Sequence, residues 1–197
     1  MNDIETGDLL AVYSKRAYHR GLVGGTGGNF SARLKDGRHM LITASGLSLL
    51  DTSRTNLVRV NLETLEYEAP QGLSPSMEFH IHADIYRLRP DAGAVAHLHP
   101  PHSTAFAVAK REIPPVTDSA MKQQPAPLVS FAPSGTEELR TLMREAVEGS
   151  PGCNVFLMEM HGITAIGAGI ADAYDLADLT EEIARIAYLA ETLGQIS

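Results

Sequence analysis

Two histidines two residues apart, His97 and His99, close the apolar run Ala94-Val95-Ala96-His97-Leu98-His99. On a β-strand, residues i and i+2 project from one face, so this spacing sets two imidazoles side by side. Such a pair is half of a transition-metal site. Further ligands must come from elsewhere in the chain. Glu78 and His161 are the candidates, each beside a chain-turning signal. These residue types suit two chemistries: a three-histidine site with an exchangeable carboxylate, or the two-histidine, one-carboxylate iron centre of an iron(II) oxygenase. Each residue also has a purely structural reading. A buried histidine can be hydrogen-bonded core, and Glu78 behind Ser74-Pro75-Ser76 has the spacing of a capping-box glutamate.

A second stretch, Gly24-Gly25-Thr26-Gly27-Gly28-Asn29-Phe30-Ser31, concentrates glycines. It is neither a Walker A loop nor a dinucleotide fingerprint, because no Gly-Lys-Ser/Thr follows and the loop opens onto a strand. Successive N–H groups in such a loop can converge on an anion, and Asn29 and Ser31 project to one side. The plainer alternative is a flexible hairpin loop.

The elements that must position these residues are legible from periodicity and turn signals. Residues 8–21 read as an amphipathic helix stopped by Gly21. Strands are expected over 30–34 and 39–43, joined by the Asp36-Gly37 turn, then over 57–60 and 65–67. Ser74 as N-cap and Pro75 at N1 open a helix to about Leu88, with Glu78 in its first or second turn. His80, His82 and Asp84 cannot all share one face of that helix and are not read as a joint site. Residues 94–98 form a buried strand ended by Pro100-Pro101, and 102–109 a short helix, with His102 in a structural role. Strand-like runs at 113–117 and 127–131 flank the irregular 118–124. Ser134 caps a helix from about Thr136 to Gly149. Residues 155–158 form another strand, His161 sits at a turn, and a long helix runs from Asp172 to Leu193. No repeat or linker interrupts the chain, so residues 1–197 are one domain. The succession of elements gives an α/β sandwich on a mostly antiparallel sheet.

Composition narrows the partners. The 197 residues are 44% hydrophobic and carry a formal charge of −8, from 16 basic and 24 acidic residues. That balance argues against nucleic acid and against an anionic membrane. A phosphorylated ligand must therefore be held by backbone and hydroxyl donors. The single cysteine, Cys153, lies in an apolar run and reads as a small buried hydrophobe. No signal peptide and no apolar run long enough to span a bilayer is evident, so the expected location is cytoplasmic.

Five motifs resemble one family. Gly25-Thr26-Gly27-Gly28-Asn29-Phe30-Ser31, Leu41-Ile42-Thr43-Ala44-Ser45-Gly46, Pro75-Ser76-Met77-Glu78, Ala94-Val95-Ala96-His97-Leu98-His99 and His161-Gly162 follow the order seen in the class II aldolase/adducin family. The resemblance spans residues 9–190. It implies a three-layer α/β/α sandwich and a divalent metal, usually Zn2+ with Mn2+, Co2+ or Fe2+ as alternatives, held by His97, His99 and His161. It implies Glu78 as acid/base, and a substrate phosphate against Gly28, Asn29, Ser45, Gly46 and Ser76. The implied activity is an aldolase-type lyase that cuts a small phosphorylated ketose or sugar acid through a metal-stabilised ene-diolate. Decarboxylation or dehydration of a similar substrate is the alternative within the family. A non-catalytic, adducin-like interaction domain is an alternative outside catalysis. The family further implies a homotetramer with active sites at subunit interfaces. Three departures stand out. Met77 replaces a second phosphate-binding serine. Asp118 stands where a tyrosine of a neighbouring subunit assists protonation, making it a candidate second acid/base. The chain given stops at Ser197, where the aldolases continue into a tail bearing another tyrosine.

Overall fold

The computed structural model describes residues 2–194. Met1 and residues 195–197, including the Ser197 terminus, lie outside the described residues. Eight strands form one sheet: β1 Asn29–Arg33, β2 His39–Thr43, β3 Leu57–Asn61, β4 Tyr67–Glu68, β5 Ala94–Leu98, β6 Leu128–Val129, β7 Val155–Met158 and β8 Gly162–Gly167. Their order is β4-β3-β2-β1-β5-β8-β7-β6, antiparallel throughout except for the β6–β7 pair. Among the described residues six α-helices accompany it: α1 Asp3–His19, α2 Phe79–Leu88, α3 Pro101–Val108, α4 Asp118–Met121, α5 Glu137–Gly149 and α6 Ile170–Thr192.

Alternation along the strands builds two cores, one on each face. Phe30, Ala32, Ala94, Ala96, Leu98, Ile163 and Ala165 pack with Leu10 and Ala17 of α1 and Ala173 and Ala177 of α6. Met40, Ile42, Val58, Val60, Val95, Phe156 and Ile166 face Ile81 and Ile85 of α2 and Leu139, Met143 and Val147 of α5. The result is the expected three-layer α/β/α sandwich. Each fully buried large side chain contributes about 1.5–3 kcal/mol of transfer free energy. Because Ala94, Ala96 and Leu98 fill the α1–α6 side, pleating turns Val95 and His97 toward α2. Buried Asp84 ties α2 to α5 by accepting from Arg140 at 2.5 and 3.0 Å, and it also accepts from Arg87 at 2.9 Å.

Several local expectations are corrected. The first helix begins at Asp3 rather than Asp8, because Asn2 and Glu5 form a capping box there. Ser74 and Pro75 do not open α2. Pro75 bridges Ala44 and Ser76 N donates to Thr43 O, so this stretch runs extended against the end of β2. The helix starts at Phe79 with Glu78 itself at the N-cap, and Glu78 makes no capping hydrogen bond. Thr136, not Ser134, caps α5 by accepting from Leu139 N. Residues 113–117 form no strand, since Pro114 and Pro115 remove successive donors. Residues 118–121 form the short α4 instead of irregular chain.

Candidate metal and active site

The histidines converge because two chain segments, the end of β5 and the β7–β8 turn, meet at one end of neighbouring strands. β5 delivers His97 and, one residue past its end, His99. The β7–β8 hairpin turns through Glu159, Met160 and His161, with His161 N donating to Met158 O at 3.1 Å. Ligand atoms of His97, His99 and His161 all lie within 4.8 Å of one another. His97 Nε2 and His99 Nε2 are 3.0 Å apart. Two ligands at about 2.0–2.1 Å from one tetrahedral ion sit about 3.3 Å apart, so the cluster is close to a ligand set.

Protonation agrees with that use. His97 Nδ1 lies 3.0 Å from Ile163 O and donates to it, which leaves the Nε2 lone pair free. Burial, reinforced by the positive charge His161 would carry, holds His97 well below the usual imidazole range. Burial and His161 lower His99 as well. Neutral imidazoles are the form that ligates a cation.

Glu78 meets this cluster from the start of α2. Its Oε2 accepts from Asn29 Nδ2 at 3.1 Å and lies 3.2 Å from His97 Nε2. Its Oε1 is 3.4 Å from His161 Nε2, and among the described residues it is buried without a hydrogen-bond partner, as is Asn29 Oδ1. Orphaned buried acceptors beside three clustered imidazoles are the donor set a divalent cation would satisfy.

A cavity of about 280 Å³ opens onto these groups, lined among others by Gly28, Asn29, Ala44, Ser45, Gly46, Ser76, Met77, Ser134 and the three histidines. Every expected phosphate-side residue therefore lines the same cavity as the candidate metal-binding histidines. Gly28 has φ +72°, and a Cβ there would meet Val23 Cγ1 at 2.6 Å and His97 O at 3.0 Å, so glycine is required where the loop crosses the β5 end. Among the described residues, no Lys or Arg lines the cavity.

Other candidates lie elsewhere. Asp118 is on the exposed surface, paired with Lys122, outside the cavity of its own chain. His102 turns away to Glu181, whose carboxylate also accepts from Ser103 N and Oγ. His82 is fully buried, 2.7 Å from Ser31 Oγ, which in turn lies 2.8 Å from Tyr86 OH. His80 stacks on Phe79. Thus His80, His82 and Asp84 serve three separate environments. Sequence reasoning missed Ser134, whose Oγ lies 3.3 Å from His161 Nε2. Its Ser-x-Thr context favours a cap at either residue, and only the fold shows which hydroxyl is spent on the helix.

Comparison with known proteins identifies the family. The Class II Aldolase and Adducin N-terminal domain family matches residues 8–188. The chain is 37% identical to the 5-methylthioribulose-1-phosphate/5-deoxyribulose-1-phosphate aldolase of Rhodospirillum rubrum, over 83% of this chain and 72% of that protein. It is 30% identical to the 3-oxo-tetronate 4-phosphate decarboxylase of Haemophilus influenzae, over 98% and 90% of the two chains. The structure of L-fuculose-1-phosphate aldolase from Thermus thermophilus superposes with a TM-score of 0.78 at 28% identity, covering 95% of this chain and 96% of that one. Motif order, three-layer fold and match length agree, and the chain belongs to the class II aldolase and adducin family.

Proposed function

We propose that this protein is a divalent-metal-dependent carbon–carbon lyase of the aldolase type, acting on a small phosphorylated ketose or sugar acid. The observation that carries the reading is the convergence of His97, His99, His161 and Glu78 on a cavity walled by hydroxyl and backbone donors. The names of the relatives, sugar-phosphate aldolases and a sugar-acid-phosphate decarboxylase, support the same chemistry.

His97, His99 and His161 would hold the cation, with Zn2+ the first choice for a three-imidazole set and Mn2+, Co2+ or Fe2+ as alternatives. When bound, the cation supplies a Lewis acid for the substrate carbonyl and the charge of the developing ene-diolate. Glu78 moves the proton. Asn29 fixes its Oε2, so Oε1 is the oxygen free to take a proton from the substrate hydroxyl and return it to carbon. Asn29, Ser45, Ser76 and the backbone at Gly28 and Gly46 hold the phosphate by hydrogen bonds, as an acidic chain without a basic field requires.

On the family resemblance, Asp118 of a neighbouring subunit would be the second acid/base and the working enzyme a homotetramer with interfacial sites. No helix among the described residues is long and apolar enough to cross a membrane, in keeping with a cytoplasmic enzyme. Decarboxylation of a sugar-acid phosphate is the second reading, favoured by the Haemophilus influenzae relative. An iron(II) oxygenase or a metal-free interaction domain has less support, because all three histidines and Glu78 are present together. A panel of ketose and sugar-acid phosphates, assayed for aldehyde and for carbon dioxide release with metal-loaded protein, separates the readings. Release of neither product would sink both.

A further inference from the structure

His99 brings one of the three imidazoles to the cluster but sits outside the strand that aims it. β5 ends at Leu98, whose register partner is Ile163. Beyond that pair, the His99 N–H donates to Leu22 O at 3.0 Å, and Pro100 and α3 follow at once. The start of α3 therefore sets the far side of His99, and it is poorly equipped to do so alone. Pro100 occupies the N-cap position and makes no side-chain capping hydrogen bond. The first-turn N–H groups of His102 and Ser103 need acceptors from elsewhere.

Glu181 of α6, 79 residues along the chain from His102, supplies them. Its Oε1 accepts from His102 N at 3.0 Å and from His102 Nδ1 at 2.7 Å. Its Oε2 accepts from Ser103 N and Ser103 Oγ, both at 2.9 Å. The carboxylate is buried, and burial of a charge is offset only by a full set of partners. All four donors belong to two consecutive residues, so the carboxylate pins the first turn of α3 to α6. The same helix packs Ala173 and Ala177 against Leu98 of β5 and Ile163 of β8. One helix thus fixes the backbone on both sides of His99 and the strand that follows His161. Glu181 itself does not line the active-site cavity.

We propose that Glu181 is a positioning residue of the metal centre: by clamping the first turn of α3 it fixes the backbone that carries His99, and so sets the spacing of His99 from His97 and His161. Only Pro100 and Pro101 separate His99 from the clamped turn, and two successive prolines with fixed φ transmit a shift rather than absorb it. A metal site tolerates ligand displacements of about 0.2 Å, so a loosened first turn is felt at the ion. This inference rests on the metal-site part of the reading above.

Cobalt(II) titration of the metal-free protein, followed by absorbance and paired with thermal unfolding, tests the assignment. Glu181→Gln keeps the size of the side chain but turns an NH2 group toward N–H donors. Its cobalt affinity should fall about tenfold, the scale on which outer partners of metal ligands act. Glu181→Asp keeps the charge but is one methylene too short to reach both residues, and its affinity should fall by a similar factor. Asp84→Ala breaks the buried link between α2 and α5 and lowers Tm without touching α3. It should bind cobalt within about twofold of wild type, as a site with no shared partners does. Lowered Tm with wild-type cobalt affinity in both Glu181 variants is the outcome of a merely structural role and overturns the assignment. Wild-type affinity in Glu181→Asp alone, or an equal loss of affinity in Asp84→Ala, also overturns it. If neither Glu181 variant folds, amide exchange of the wild type decides. Zinc binding should slow exchange at His102 and Ser103 about tenfold, because coupling between two sites is reciprocal, and leave Glu5 at the start of α1 unchanged. No slowing at His102 and Ser103, or the same slowing at Glu5, overturns the assignment. A wild type that binds no cobalt overturns the metal-site reading, and this inference with it.

Discussion

Gly162 follows His161 directly and begins the strand that pairs with the histidine strand. A Cβ there would lie 2.2 Å from Leu98 O and 2.8 Å from His99 Cδ2. The nearer obstacle is backbone, so no side-chain rotation relieves it. Gly162→Ala must push β8 from β5 by about 1 Å, to restore ordinary contact distance. Overpacking of this kind costs about 1–3 kcal/mol, and a weakened ladder bond adds about 1. A loss of about 3 kcal/mol lowers Tm by about 6–12 °C in a chain of this size. The same displacement separates His161 from His99 by more than the roughly 0.2 Å that a metal site tolerates, so metal affinity should fall at least about tenfold. Gly149→Ala is the control, since nothing lies within 4 Å of its Cβ position and it ends α5. It should be neutral or stabilising by up to about 1 kcal/mol. Thermal unfolding and cobalt titration on both variants decide the matter. Gly162→Ala with wild-type Tm and wild-type metal affinity would refute the claim that close strand approach sets the histidine spacing.

Three further outcomes follow from the structure. Met160 has φ +55° and is exposed, so Met160→Gly should relieve left-handed strain and raise stability by about 0.5–1 kcal/mol in denaturant titration, with metal affinity unchanged. Asp84→Ala leaves Arg140 without its buried partner across α2 and α5. It should cost about 2–3 kcal/mol, less than a fully buried pair because both arginines keep some water contact. Burial, with a smaller contribution from His97, pushes His82 down to about 3 from 6.5. The unfolded chain then binds a proton between those values that the folded chain refuses. Stability should therefore fall as pH drops below 6.5, by up to about 1.4 kcal/mol per pH unit from this group. Urea titrations of metal-free wild type and His82→Gln at pH 7 and pH 5 should show a smaller acid loss in the variant, and identical losses would contradict this.

Much of the site was legible because its signals are local. The limits of β2, β5 and β7 match the periodicity of the sequence, and β5 is recognisable from an apolar run ended by two prolines. The pairing of His97 with His99 follows from the two-residue repeat of a strand alone. What was not legible depends on contacts between distant segments. Ser74-Pro75-Ser76 has the composition of a helix start, yet the bridge from Pro75 to Ala44 holds it extended and moves the helix start to Phe79. That shift takes Glu78 out of a capping role and turns it toward the histidine cluster. Likewise, Ser134 and Thr136 are equally good caps in isolation, and the choice of Thr136 frees Ser134 for the cavity. The placement of β1 beside β5, and of β8 on its other side, is a matter of tertiary packing that no strand encodes by itself.

The central claim is that three imidazoles, with Glu78 beside them, form a working metal centre. Its most direct test is metal analysis of purified wild type and of the His97→Ala/His99→Ala double variant. The account predicts about one divalent ion per chain in the wild type, as one three-imidazole site would hold, and none in the variant. Full metal occupancy in the double variant would contradict it.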